Sequence, residues 1–350
     1  MRWSLERPTA VRLAVIAGLL AFVLFALPAL LGTYWIDILI LVTIWSIVAL
    51  GLNLLFGRVG LVSLGQIALL AVGGWFAARF FFLTSLPFPI VLLIAGLITA
   101  AIGTLVGLPA LRLSSLHLAV ITLMFAGLVY IVLPTVNFPN GGGGVLGNTQ
   151  SSLGSFAVRR PSVAQSDTAY FRYAVIVAAI MFLLALAHVS TKTGRAWAAI
   201  RQSEPAALAA GVNVTLYKLY AFTLASFMTG VAGGLYAADV GKLYSYQFSP
   251  ANTIDSVVLL AVVLMGGIYS LWGAVVAGLL QKLLPPLLQN WFDFFVRNPD
   301  FLLVLFGVGV LQVLVTAPEG LVTQFPKDMK NLGRLISKPF RKTSAAEGSP

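Results

Sequence analysis

Long apolar runs separated by short polar or glycine-rich stretches recur between residues 11 and 317. A run of about 20 apolar residues crosses the hydrocarbon core of a bilayer as a helix. The pattern therefore predicts an all-α, polytopic membrane bundle. The apolar segments are 11–31, 35–56, 64–83, 89–110, 117–136, 171–190, 219–238, 252–267, 273–289 and 300–317. These make about ten spans, and an even number places both termini on one side. Segments 252–267 and 273–289 are short and nearly continuous, so a re-entrant or broken pair is an alternative that lowers the count to about eight. The first run follows Arg2, Arg7 and Arg12 like a signal peptide, but its length suits a retained span.

Composition agrees with this pattern. Of 350 residues 59% are hydrophobic and 9% charged, and the mean hydropathy is +0.96. With no cysteine, disulfides, thiolate metal sites and cysteine nucleophiles are excluded, and two histidines are too few for a metal cluster. The net charge of +11 does not imply nucleic acid, because the basic residues gather near the ends of apolar runs. Placing the N-terminus in the cytoplasm puts most of the 22 lysines and arginines inside, among them Arg58, Arg112, Lys192, Arg195, Arg201 and Lys218. Residues 1–325 then form the membrane domain. Residues 326–350 read as a basic, disordered cytoplasmic tail drawn to anionic lipid.

Two loops stand out, 137–170 outside and 191–218 inside. In the outer loop Gly142, Gly144 and Gly147 satisfy G-x-G-x-x-G, but no strand precedes them and no helix follows, so the match is accidental. The chain has no G-x-x-x-x-G-K-[ST] and lacks the cradle that holds ATP phosphates, so it is not expected to be an enzyme or to bind a cofactor. If ATP drives it, a partner binds the ATP and magnesium.

The inner loop is amphipathic. Trp197 and Ile200 share a helical face, with Arg201 on a neighbouring stripe, so one face is expected to dock while the basic residues stay wet. Pro205 suits a first turn, predicting a second short helix that starts near Ser203 or Glu204 and ends at Gly211. An interfacial helix lying on the headgroups is the competing reading.

Between two apolar runs, residues 57–66 carry glycines and Ser63, a pattern suited to unwound backbone lining a path. Gly60, Ser63, Leu64 and Gly65 are echoed by Gly267, Ser270, Leu271 and Gly273. Close packing of small residues is the leading account, and an inverted repeat is the alternative. Asn53, Gly57, Gly60, Ser63, Gly65, Gln66, Thr122, Asp255, Gly266 and Gly267 are the candidate pathway residues, although polar residues in spans also hold helices together. Asp255 stands near the start of its span, where a helix N-terminus favours a carboxylate. Gly103 with Gly107, and Ser226 with Gly230 and Gly234, place small faces on two helices for packing.

The run GRAWAAIRQSEPAALAAGVNVTLYKLYAF followed by SFMTGVAGGLYA resembles the cytoplasmic loop and next span of the M-type permease of branched-chain amino-acid ABC transporters. GLNLLFGRVGLVSLGQIALLAVGGWFAA, LRLSSLHLAVITLMFA and NTIDSVVLLAVVLMGGIYSLWGAVVAG fit the same family in order. The broad importer signature survives only as Glu204, Ala206, Ala207 and Gly211, with Pro205 inserted, a spacing that the M-type pattern shares. The resemblance implies a bacterial inner-membrane importer of leucine, isoleucine and valine, with urea, short amides or other amino acids as alternatives. It also implies an H-type second permease, two ATPase subunits and an extracytoplasmic binding protein. Arg195, Trp197, Ile200, Arg201, Glu204, Ala206, Ala207 and Gly211 would then form the segment seated in an ATPase groove, where a bulky side chain at Ala207 is expected to uncouple hydrolysis from uptake. An ion-coupled carrier using Asp255 or Asp239 is the second function class, and a membrane-embedded metal enzyme the third.

Overall fold

The computed structural model describes residues 18, 20–84, 86–109, 115–135, 160–241, 253–298, 301–316, 320–322 and 324. The start of the first run, most of the 137–170 loop, residues 111–114 of the matching block, the Asp255 side chain and the basic tail lie outside the described residues.

Every regular element among the described residues is helical. A π-helical turn, Phe22–Ala26, leads into α1, Leu27–Leu30. Next come α2, Thr33–Leu52, continued by a π-helical segment Asn53–Val59, then α3, Gln66–Leu83, α4, Phe88–Gly107, and α5, Ser115–Thr135. The second half holds α6, Asp167–Ser190, the short α7, Lys192–Gln202, and α8, Glu204–Ala209, and the long α9, Val214–Val240. It ends with α10, Thr253–Gly266, α11, Trp272–Lys282, α12, Leu284–Trp291, α13, Asp293–Arg297, and α14, Phe301–Thr316.

Thr33–Val59, Phe88–Gly107, Asp167–Ser190 and Val214–Val240 are long and apolar enough to cross a membrane. Gln66–Phe81, His117–Val132, Ser256–Gly266 and Val304–Val313 are shorter apolar helices. The expected span 273–289 is divided at Leu283, just before Pro285 and Pro286, where a proline lacks the N–H that an unbroken helix needs.

The core is built on α9 and α2, the two most enclosed helices. α9 packs on α3, α4 and α2, while α2 also packs on α11 and α6. Water-excluding attraction is weak between helices in lipid, so close backbone approach carries the association. An ideal Cβ on Gly73 of α3 would lie 2.5 Å from the Gly230 Cα of α9. On the other side of α9, Gly107 meets Phe222, Gly103 meets Ser226 and Gly230 meets Thr99, a run that sets α4 antiparallel to α9. The two small-residue faces thus belong to helix pairs, with Thr104 and Thr223 hydroxyls bonded between α4 and α9 at 2.7 Å.

The same pairing gives the sense of the two broken units. α2 runs against α9, since Gly51 meets Ala225 at one level and Asp37 feels Asp239 electrostatically at the other. α3 runs with α9, with Gln66 at Thr229 and Ala77 at Gly234. Asn53 meets Gly267 and Ser270 while Ser46 meets Gly278, so α11 runs against α2, and α10 folds back on α11 where Gly266 packs on Gly273. Both helix–break–helix units therefore run in the same sense, not inverted. Their shared small residues serve close packing.

This packing predicts that Gly73→Leu lowers the thermal unfolding midpoint in detergent, since overpacking costs about 3 kcal/mol. Gly127→Ala, at a helical glycine with open space around it, is expected to leave the midpoint unchanged or raise it slightly.

Candidate functional site

α7 and α8 form a short bent arm between α6 and α9. The reversal from α6 into α7 is tight, for a Cβ on Gly194 would collide with the Val189 carbonyl. Ser203 ends α7 and caps α8, its Oγ accepting from Ala206 N–H at 3.4 Å, with Pro205 in the first turn. Gly211, at φ +80°, then reverses the chain, and Asn213 caps α9 by accepting from Leu216 N–H at 3.1 Å. The second short helix expected from Pro205 and Gly211 is present.

Trp197 and Ile200 share a face of α7 as the periodicity suggested, but that face is covered by the protein's own helices. Trp197 is fully buried (0% exposed) against the protein's own helices, its Nε1–H donating to the Tyr217 carbonyl at 2.9 Å and its ring lying 6.1 Å from that of Tyr220. Ile200 and Ala207 are buried with it. The apolar stripe anchors the arm to α9 and is not free to dock elsewhere, and a bulky residue at Ala207 would first disturb this internal packing. The exposed surface carries Arg195, Glu204, Ala206, Gly211 and Leu208, which is 60% exposed.

Arg201 is half-buried and not fully wet. Its Nη1–H donates to the Gly57 carbonyl, and its guanidinium sits 4.3 Å from the centre of the Tyr269 ring. Arg58 donates to the Tyr269 carbonyl at 3.1 Å. Glu204 lies at the helix start, as its charge favours, and its Oε1 also pairs at 2.6 Å with the buried Lys218 Nζ. In the sequence Arg58 and Lys218 entered only as orientation-setting charges, and Tyr269 was not singled out. Lys218, a cation within an apolar α9 stripe, is the one that carried a signal.

Of the pathway candidates, Asn53, Gly57 and Gly267 meet where the two broken units join, while Ser63, Gly65, Gln66 and Thr122 lie at the first break against α5 and α9. Asn53 Nδ2 donates to the carbonyls of Gly267 (3.3 Å) and Ser270 (3.1 Å). Gly57 and Gly267 are required there. A Cβ on Gly57 would strike the Ile268 carbonyl, and Gly267 holds φ +112°. Gly60, at φ +84°, closes the π-helical segment beside Arg201, and Gly266 packs on Gly273. Thr122 secures the first break from α5, accepting from Leu64 N–H at 2.9 Å beside Gly65. Ser63 accepts from Gly65 N–H at 3.4 Å, and Gln66 Oε1 accepts from the Thr229 hydroxyl at 2.7 Å. Asn53, Ser63, Gln66 and Thr122 are all buried, and Asn53 Oδ1 and Gln66 Nε2 have no protein partner. Asp255 falls in the first turn of α10.

At the opposite end of α9, Arg160, just before α6, joins Asp167 in the first turn of α6 to Asp239, bonding the latter at 3.1 Å. Burial lowers the pKa of Arg160, but the two carboxylates outweigh it and raise its guanidinium above the ordinary value. Asp239 is thus the partner of an arginine and not an open cation site.

With this geometry in view, the family comparison is decisive. The family described as branched-chain amino acid transport system / permease component matches residues 34–314. The chain belongs to this family. Relatives include the high-affinity branched-chain amino acid transport system permease protein LivM of Salmonella typhimurium and that of Escherichia coli K12, each 30% identical over 325 residues, covering 87% of this chain and 74% of theirs. No solved structure matches. The matched region begins in α2 and closes in α14, so both breaks and the α7–α8 arm belong to the permease family's shared region.

Trp197→Ala is expected to cost about 3–5 kcal/mol of stability, whereas Leu208→Ala should be near neutral, both read by thermal unfolding in detergent. Lys218→Met should be better tolerated than Glu204→Ala, which strands a buried ammonium.

Proposed function

We propose that the chain is a translocating subunit of an ABC importer for branched-chain amino acids in a bacterial inner membrane. The family match over residues 34–314 carries this reading. The positive charge near segment ends supports cytoplasmic termini and a cytoplasmic α7–α8 arm. ATP and magnesium belong to two partner ATPase subunits, a second permease of the H type completes the path, and a binding protein delivers the solute.

The arm suits a coupling element. It is short, joined at its middle by the Ser203 cap, and anchored by Trp197, so a push on its exposed side moves it as a body. The docking surface is the outward one formed by Arg195, Glu204, Ala206, Leu208 and Gly211, with Leu216 exposed nearby on α9. Small residues there let a partner approach closely. The breaks at 53–65 and 266–273 form the gate of the path. Unwound backbone at membrane depth is tolerated where protein covers it, and all four polar candidates are covered. Asn53 Oδ1 and Gln66 Nε2 are left to meet a polar solute or water when the gate opens. The pairing of Asp239 with Arg160 speaks against a carrier driven by a cation at Asp239.

The test is ATP-dependent uptake of labelled leucine into proteoliposomes holding the chain and its co-purified partners, with binding protein outside. Uptake that requires ATP and binding protein is expected. Hydrolysis stimulated by the binding protein without leucine entry would reject leucine as the solute, and uptake without any ATPase would reject the importer. In the same system, Leu208→Glu with Leu216→Glu should reduce ATPase co-purification by about tenfold while leaving the permease's unfolding midpoint unchanged.

A further inference from the structure

We propose that Arg201 is a positioning residue that couples α7 to both helix breaks at once, so that the two broken units open and close as one gate. The inference rests on the importer reading and specifies how its arm acts.

Three sets of contacts converge on this assignment. Arg201 donates from α7 to the Gly57 carbonyl in the π-helical segment and lies over the Tyr269 ring in the second break. Arg58, one residue after Gly57, returns the link by donating to the Tyr269 carbonyl. Deeper in, Asn53 bonds the carbonyls of Gly267 and Ser270, and the missing Cβ of Gly57 lets the Ile268 carbonyl seat against it. Each break is thus tied to the other at two levels, and α7 is tied to both through one side chain.

The chemistry favours arginine at this position. A planar guanidinium donates in its plane and stacks across its face, so one group holds a carbonyl and a ring together. A lysine at the same place keeps the charge but not the fork. The acceptor side is also suited to movement. A π-helical segment ending in a left-handed glycine is a helix already wound out of its regular register, of the kind that marks functional hinges. Trp197 fixes the rest of α7 to α9 through Tyr217, and Glu204 pairs with Lys218 one residue further along α9. Displacement of the arm therefore travels with the first turns of α9 and reaches the breaks at Gly57 and Tyr269.

The experiment compares leucine taken up per ATP hydrolysed in the reconstituted complex, for the unaltered chain, Arg201→Gln, Arg201→Lys and Tyr269→Ala. ATPase co-purification is recorded for each. If the unaltered complex shows no ATP-driven uptake, the importer reading itself fails. If it does, Arg201→Gln is expected to keep its ATPase subunits and its hydrolysis while uptake per ATP falls about tenfold, within the usual range of coupling between sites. Arg201→Lys should recover part of the loss. Tyr269→Ala, which leaves the arm unaltered, should show the same uncoupling. Normal uptake per ATP in both Arg201→Gln and Tyr269→Ala would overturn the proposal. So would loss of uptake in Arg201→Gln through failed assembly alone, with Tyr269→Ala fully coupled.

Discussion

Backbone carbonyls released where helices stop must find donors inside the bundle, because an unpaired polar group in an apolar interior costs several kcal/mol on the order of a lost hydrogen bond. That constraint organises the centre of this molecule. The carbonyls of Gly57, Gly267, Tyr269 and Ser270 are each met by a side-chain donor, from Arg201, Asn53 and Arg58. These side-chain donors come from the opposite break or from α7, and the Gly267 and Ser270 carbonyls also accept from the N–H groups of Ser270 (3.3 Å) and Gly273 (3.0 Å) in their own turn. The side-chain bonds to these carbonyls tie distant segments together.

The remaining architecture can be read as a frame around this meeting point. α9 stands between α3 and α4 through glycines that permit backbone contact, and α2 stands between α6 and α11. At one end Arg160 fastens α9 to the start of α6 through Asp239 and Asp167. At the other, Trp197 fastens the arm to α9. Frame helices are held by shape and short polar ties, while the breaks are held by donors that can be exchanged. A permease needs such a contrast, with a stable scaffold and a centre whose bonds have alternative partners.

Much of this was legible in the residues. Apolar length set most helix positions to within a few residues, because a bilayer-length run has few other ways to bury its backbone. Pro205 and Gly211 marked the second short helix through local backbone rules, and the glycines of residues 57–66 marked the first break. Periodicity also put Trp197 and Ile200 on one face, but it carries no information about what covers that face, and their own helices do. Arg201 was read as solvated for the same reason: its partners, Gly57 and Tyr269, lie far away in sequence and contribute a carbonyl and a ring that no spacing rule connects. Asn53 was visible as a polar residue in an apolar run, but its partners were not. The family blocks, from Gly51 to Gly278, all lie within the matched residues 34–314, since the breaks and the arm carry the least ordinary sequence.

The most direct test of the central claim is hydrogen exchange of the purified chain with and without Arg201→Gln. Amides at Gly60, Leu61, Gly267 and Ser270 are bonded within or beside the breaks and report their opening. Faster exchange in both 53–61 and 266–273, with the α3, α4 and α9 contacts still protected, is the predicted result. A change confined to residues 192–211, leaving both breaks as protected as before, would contradict the account.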